Sequence, residues 1–321
     1  MSRAWIIPLL LSSVLLAACH GAQARRESYL QQGEALMQSG DCERARVAFR
    51  NALYIQPRSS DARLLTGEAA EKCGRLREAA DMYRRAMELD LQNLKARAHL
   101  ARLRVLAGDN ERALAIVRPG LQMAPSDPDL LAIRGVARLR TGDESGAYDD
   151  AERAVAGSPA NENAVALLAA LHRREGRSQE AIEIVQRAVE LKPRSVEMRL
   201  VLAQLLLALG RQESAEEELR NVVELEPGRL SYRERLAQLL DAHGWELLQE
   251  GGVGAATAVL EQAAGHAPQS PVIRYHLAMA QLQAGEKATA AENLRFAVDS
   301  GVQFAGWREA RSALGKLTVL R

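Results

Sequence analysis

Residues 27–57, ESYLQQGEALMQSGDCERARVAFRNALYIQP, hold two helical patterns on either side of a glycine. Gly40 ends the first pattern, where a left-handed backbone carries no Cβ clash. Gly33 leaves room for the two helices to approach, and Ala45 and Ala52 are the small residues where they cross. Phe49 is the large side chain that fills the space between them. Pro57 stops the second helix because its nitrogen carries no hydrogen. A helix, a tight turn and a second helix packed on the first are expected.

The pattern recurs along the chain. Glycine falls at 40, 74, 108, 142, 176 and 210, each step 34 residues, and Ala45, Ala79, Ala113, Ala147, Ala181 and Ala215 keep the same step. Proline lies at 57, 125, 159, 193 and 227, with Leu91 in the vacant slot. Three registers held over six periods mark a repeat protein. After Pro227 the next matching proline is Pro268, 41 residues on, and the motif resumes with Gly244, Gly251, Ala256, Leu260 and Ala263. Seven additional residues are about two helical turns, so the first helix of the seventh repeat is predicted to run over 230–250. Ala278, Gly285, Ala290 and Ala297 mark an eighth repeat, and FAGWREARSALGKLTVL reads as a closing helix.

These residues resemble tetratricopeptide (TPR) repeats over nearly all of 26–302. The resemblance implies an all-α, right-handed solenoid of about eight helical hairpins plus a C-terminal capping helix, each hairpin touching only its neighbours. The expected organisation is repeats 1–6 over 26–227, repeats 7–8 over 228–302 with the lengthened helix, and a cap over 303–321. Composition agrees: aromatic residues are 4% of the chain while Ala, Leu, Glu and Arg abound, which favours helix over strand. Forty-two basic residues stand against forty-one acidic ones, so net charge gives no reason to expect nucleic acid.

The chain opens with MSRAWIIPLLLSSVLLAAC, a basic residue followed by an apolar stretch over 4–18. A membrane span needs about 20 apolar residues, and the shorter stretch has the proportions of an export signal over 1–18. Leu16-Ala17-Ala18-Cys19 resembles the lipobox of bacterial lipoproteins. That resemblance implies cleavage before Cys19, acylation of its thiol and amine, and a stable membrane anchor, since two or more chains hold where one does not. His20 replaces the aspartate that retains such proteins at the inner membrane, so the resemblance implies the outer membrane, with 19–25 as a lipidated tether. An ordinary secretory signal with a chance cysteine is the alternative.

In the repeat fold the helices carrying Cys42 and Cys73 pack together, and both residues lie at one edge of the array. Exported proteins meet an oxidising compartment, so a Cys42–Cys73 disulfide is expected; two reduced thiols in small core slots are the alternative.

No catalytic, metal or cofactor site is expected. His172 and His243 have Glu175 and Glu246 at helical spacing but no second histidine in register. The run GGVGAAT at 251–257 follows a helix where a phosphate loop would follow a strand. TPR arrays bind partners along the groove lined by their first helices. The register places Lys95, Arg102, Arg140, Arg173 and Arg174 there in repeats 3–5, a cationic stretch suited to carboxylates or phosphates. Leu207, Trp245, Tyr275 and Met279 follow in repeats 6–8, suited to a peptide anchor or a sugar ring. A solvated face balanced by nearby glutamates is the competing account. Leu30 and Glu34 stand where a Lys/Asn clamp for C-terminal carboxylates would, which disfavours that mode.

Gly244-Trp245, Pro268, Pro271, Tyr275-His276-Leu277-Ala278 and Gly285 make the C-terminal stretch similar to the last repeats of PrsT-type lipoproteins, which accompany exopolysaccharide and PEP-CTERM gene clusters. This resemblance implies a non-enzymatic periplasmic scaffold for a protein of an envelope export system, with polysaccharide as a second kind of contact. A pilotin-like protein of pilus assembly, or an adaptor for outer-membrane protein assembly or peptidoglycan enzymes, are the alternatives.

Overall fold

The computed structural model describes the backbone of residues 6–319 and the side chains of residues 21–317. The segment 1–18, expected as an export signal, and the Cys19 thiol therefore lie outside the described side chains. Seventeen helices and no strand occur among the described residues. None of these helices is long and apolar enough to cross a membrane. The chain divides into two compact units, one ending at Leu168 and the other beginning at Ala169.

The first unit stacks hairpins α1 (Ile6–Gln38) with α2 (Cys42–Ile55), α3 (Ser60–Lys72) with α4 (Leu76–Leu89), α5 (Leu94–Leu106) with α6 (Asn110–Met123), and α7 (Pro128–Arg140) with α8 (Glu144–Gly157). Helix α9 (Glu162–Arg174) begins in this unit. Three of the four hairpin turns follow one recipe, and the α3–α4 turn keeps its glycine but has Arg75, without a capping bond, in place of aspartate. At the first, Gly40 has φ of 82°; its amide donates to the Met37 carbonyl and that of Asp41 to the Leu36 carbonyl, so the end of α1 is satisfied. The Asp41 carboxylate then accepts the Arg44 amide and starts α2. Ser59, Asn93, Asp109, Asp127 and Asp143 cap later helices in the same way.

The second helix of each hairpin ends two residues before the proline slot: α2 at Ile55, α6 at Met123, α8 at Gly157. Helix α4 ends at Leu89 although Leu91 occupies that slot. There Asp90 accepts the Gln92 amide and Asn93 caps α5, so turn chemistry stops the helix without proline. The reverse surprise is Pro119, inside α6. A proline there frees a backbone carbonyl in the preceding turn; nearby, the buried Arg97 guanidinium donates to the Ile116 and Leu91 carbonyls.

Small residues set the spacing and one large residue fills it. Ala45, Phe49 and Ala52 are buried together with Leu30, Ala62 and Ala69. One repeat on, Ala79, Tyr83 and Ala86 do the same. Gly67 lies so close to Tyr83 that a Cβ on it would come within 2.6 Å of the ring. Gly67→Ala is therefore expected to cost about 1–3 kcal/mol by overpacking, despite the better helix propensity of alanine, and thermal unfolding monitored by circular dichroism would measure it.

At the N-terminal end, the segment 19–25, expected as a tether, belongs to the continuous helix α1. Ala22, Gln23, Ala24 and Arg25 are good helix formers, and Gly21 in the same segment does not interrupt the helix. Cys42, at the start of α2, and Cys73, at the end of α3, are joined in a disulfide with Cα atoms 5.6 Å apart.

The second unit continues with α10 (Ser178–Leu191), α11 (Val196–Ala208), α12 (Gln212–Leu225), α13 (Leu230–Gln249), α14 (Val253–His266), α15 (Pro271–Gln283), α16 (Lys287–Asp299) and α17 (Trp307–Val319). Helix α13 has 20 residues where α11 and α15 have 13. Gly251, φ 88°, lies in the turn that joins α13 to α14, so the glycine run at 251–257 is a hairpin turn followed by the start of α14. Leu236, Leu240 and Leu260 are fully buried in this unit. At its C-terminal end Tyr275, Ala278, Ala290, Leu294, Ala297 and Ala310 form a core flanked by Trp245, Met279, Phe304 and Leu317.

Candidate functional site

Periodicity builds a cleft in the first unit. Positions 34 residues apart occupy equivalent places on successive first helices, so Lys95, Asp129 and Asn163 form one row, His99 and Ile133 a second, and Glu68 and Arg102 a third. These side chains, with Ala98, line a cavity of about 290 Å³. Ala98 and Ile133 are buried and make its floor, whereas Lys95, Asp129 and Asn163 stand at its rim.

One wall is an ionic network. The Tyr83 hydroxyl donates to Glu71 at 2.8 Å, and the Arg102 guanidinium pairs with the other Glu71 oxygen. His99 stacks on Tyr83 with ring centroids 4.8 Å apart. Its Nε2 lies 3.4 Å from Glu68 and its Nδ1 3.6 Å from Glu71. Burial alone would raise the Glu71 pKa, but hydrogen bonds from His99, Tyr83 and Arg102 overcome it and hold the carboxyl down to about 2. Burial alone would lower the His99 pKa; hydrogen bonds to Glu68 and Glu71 reverse that and raise it to about 9. Burial and the Glu71 carboxylate push the Tyr83 phenol upward.

The sign of the resulting pH dependence follows from linkage. His99 is raised, so its contribution is complete below about pH 6.5 and lost as pH rises through about 9. Glu71 is lowered, so its contribution is complete above about pH 4.5 and lost as pH falls through about 2. Both act fully between these limits. A proton NMR titration is expected to place His99 near pH 9, and Glu68→Gln to move the midpoint down; a midpoint at 6.5 in the native chain would contradict the geometry.

Neighbouring groups engage part of the cationic stretch read from the register. Of the arginines read from the register, Arg102 is paired with Glu71, and Arg140 donates to the Val105 carbonyl. Elsewhere on α7, Arg134 and Arg138 grip the fully buried Asp150 carboxylate at 2.5 and 2.9 Å. Lys95 does face the cleft, with no bonding partner among the described residues, and Asn163 faces it too. Glu68, Glu71, His99, Asp129 and Asn163 escaped the sequence reading. The 34-residue step from Lys95 would have found Asp129 and Asn163.

In the second unit, Arg173, Arg174 and Leu207 are exposed and stand outside the described cavities. Tyr275 is not a groove residue: it is 5% exposed, packed on Phe304 and covered at Gly306, because the chain before α17 folds across it. Trp245 is half-buried and stacks on His276 at 4.1 Å, while His276 Nδ1 bonds Asp241 at 2.8 Å. His243 turns to Glu216 at 2.7 Å, on a different helix from its sequence neighbour Glu246. Met279 lines an open trough beneath α17. No group of His, Cys, Asp and Glu suited to a metal ion occurs among the described residues.

Stacked hairpins that present a polar cleft on their first helices define a repeat scaffold, a protein that offers a surface to a partner. The chain belongs to the tetratricopeptide repeat proteins. Two family models, each described as tetratricopeptide repeat, match residues 30–93 with 242–301 and residues 74–136. A third, described as anaphase-promoting complex, cyclosome, subunit 3, matches residues 144–222, where the same beat runs. No curated protein matches the chain in sequence. Among solved structures, a thermophilic TPR protein of Thermus thermophilus is similar with a TM-score of 0.51 at 22% identity, covering 57% of this chain and 99% of its own. PilF of Pseudomonas aeruginosa gives a TM-score of 0.49 at 21% identity, covering 68% of this chain and 99% of that one. At these identities the likeness concerns the fold alone. Members of the family are generally non-catalytic scaffolds that bind peptide partners in their grooves, and this chain has the architecture suited to protein–protein interaction.

Proposed function

We propose that the chain is a non-enzymatic scaffold lipoprotein, anchored through acylated Cys19 to the periplasmic face of the outer membrane. In this reading it docks an extended segment of a protein of an envelope export system in the cleft of the first unit. The cleft is the observation that carries the reading: Lys95 offers an ammonium and Asn163 an amide to a passing backbone or carboxylate, over a floor of Ala98 and Ile133. The compartment is supported by the Cys42–Cys73 disulfide, which suits an oxidising space, and by the lipobox-like Leu16–Cys19. The resemblance to PrsT-type lipoproteins points to exopolysaccharide secretion or PEP-CTERM sorting as the system served.

A photo-crosslinking amino acid at position 98 in living cells tests the docking. Capture of a polysaccharide export component, lost in Lys95→Glu, is the expected result; capture of a pilus secretin would replace this reading with the pilotin-like one. Cys19→Ala is expected to abolish labelling by radioactive palmitate and release the protein from membranes. Unlabelled native protein in the cytosol would overturn the anchor.

A further inference from the structure

The second unit carries a separate surface whose chemistry is unlike that of the cleft. Between α15 and α17 lies an open trough of about 640 Å³. Its floor is apolar: Met279 and Leu282 stand one turn apart on α15, Ala313 and Leu317 one turn apart on α17, all half-buried. Its rim is the line Arg308, Ser312 and Lys316, spaced four residues apart on α17 and exposed. From Arg308 to Lys316 that rim runs about 12 Å, roughly two helical turns.

The rim charges are available. Arg311 is engaged over the Trp307 ring at 5.6 Å, but neither Arg308 nor Lys316 has an ion-pair partner among the described residues. Glu309 also borders the trough and is the one carboxylate among its lining residues. Lys316 stands seven residues, about two helical turns, from Glu309 on α17.

We propose that this trough is a docking site for a short acidic amphipathic helix of a protein partner. Apolar side chains of the partner one turn apart would seat on Met279, Leu282, Ala313 and Leu317, and carboxylates along its flank would meet Arg308 and Lys316. Two features select this occupant. The apolar floor is spaced like a helix face, so a partner helix presents matching i, i+3 and i+4 anchors. The rim's two cations are unpaired and outnumber its one carboxylate, Glu309, so an acidic flank gains where a basic one is repelled.

The test is fluorescence anisotropy of the full chain with three labelled sixteen-residue peptides. One carries leucine at i, i+3 and i+4 spacing with glutamate elsewhere, one has lysine for glutamate, and one has serine for leucine. The leucine/glutamate peptide is expected to bind, and the other two at least ten-fold more weakly. The double variant Arg308→Glu/Lys316→Glu, whose changes are exposed and whose fold is checked by circular dichroism, should lose at least ten-fold for the first peptide and gain for the lysine peptide. Lys95→Glu should leave this binding unchanged, which separates the trough from the cleft. Equal binding of all three peptides, indifference to the double charge reversal, or loss through Lys95→Glu would each overturn the proposal. So would sedimentation showing dimers that Leu282→Gln dissolves, since the occupant would then be a second copy.

Discussion

Cys73→Ser is expected to lower the stability of the first unit by about 3–4 kcal/mol. The bond closes a loop with a sequence separation of 31, and the chain-entropy account assigns about that much to a loop of this size. Its position concentrates the effect. It ties the start of α2 to the end of α3, two helices of successive hairpins, and in a stack each hairpin is supported only by its neighbours. Loss of the bond should therefore loosen α1 and α2 first. Hydrogen exchange with and without reductant would show faster exchange confined to those helices, together with a lower midpoint of chemical denaturation. An unchanged midpoint would mean that packing alone fixes the first two hairpins.

Tyr83→Ala should cost as much or more, about 3–5 kcal/mol, as for other large-to-small changes of buried aromatics. Tyr83 is fully buried between its own helix and Gly67, supports the His99 ring by stacking, and gives its hydroxyl to Glu71. Tyr83→Phe separates these roles. It keeps the packing and removes one donor from a half-buried carboxylate, for about 1–2 kcal/mol. In Tyr83→Phe the Glu71 pKa should rise because one of its lowering hydrogen bonds is gone, whereas in Tyr83→Ala the His99 resonance should also lose its ring-current shift. A wild-type His99 spectrum in the alanine variant would show that the stack does not hold the cleft wall.

The fold was legible because its determinants are local and repeated. Glycine at each turn and alanine at each crossing are required by backbone geometry and helix spacing, so they recur at a fixed interval. Proline proved less necessary than its recurrence implied, since α4 ends without one and α6 contains one. The site was less legible because charge compensation is a matter of three dimensions. The register located Lys95 and Arg102 but not Glu71, which neutralises Arg102 from the preceding repeat. Tyr275 was misread for a related reason. Its register position is that of a groove residue in a continuing array, but the segment leading to α17 folds over it.

The row formed by Lys95, Asp129 and Asn163 has a consequence for how such a chain can change. Each member stands one period from the next, while the core that holds them is built from other positions of the same period. Duplicating or deleting one whole period would thus shuffle a cation, an anion and an amide past one another with the interior left intact. Altered partner choice is then open to recombination between periods, and point substitution is only the slower route.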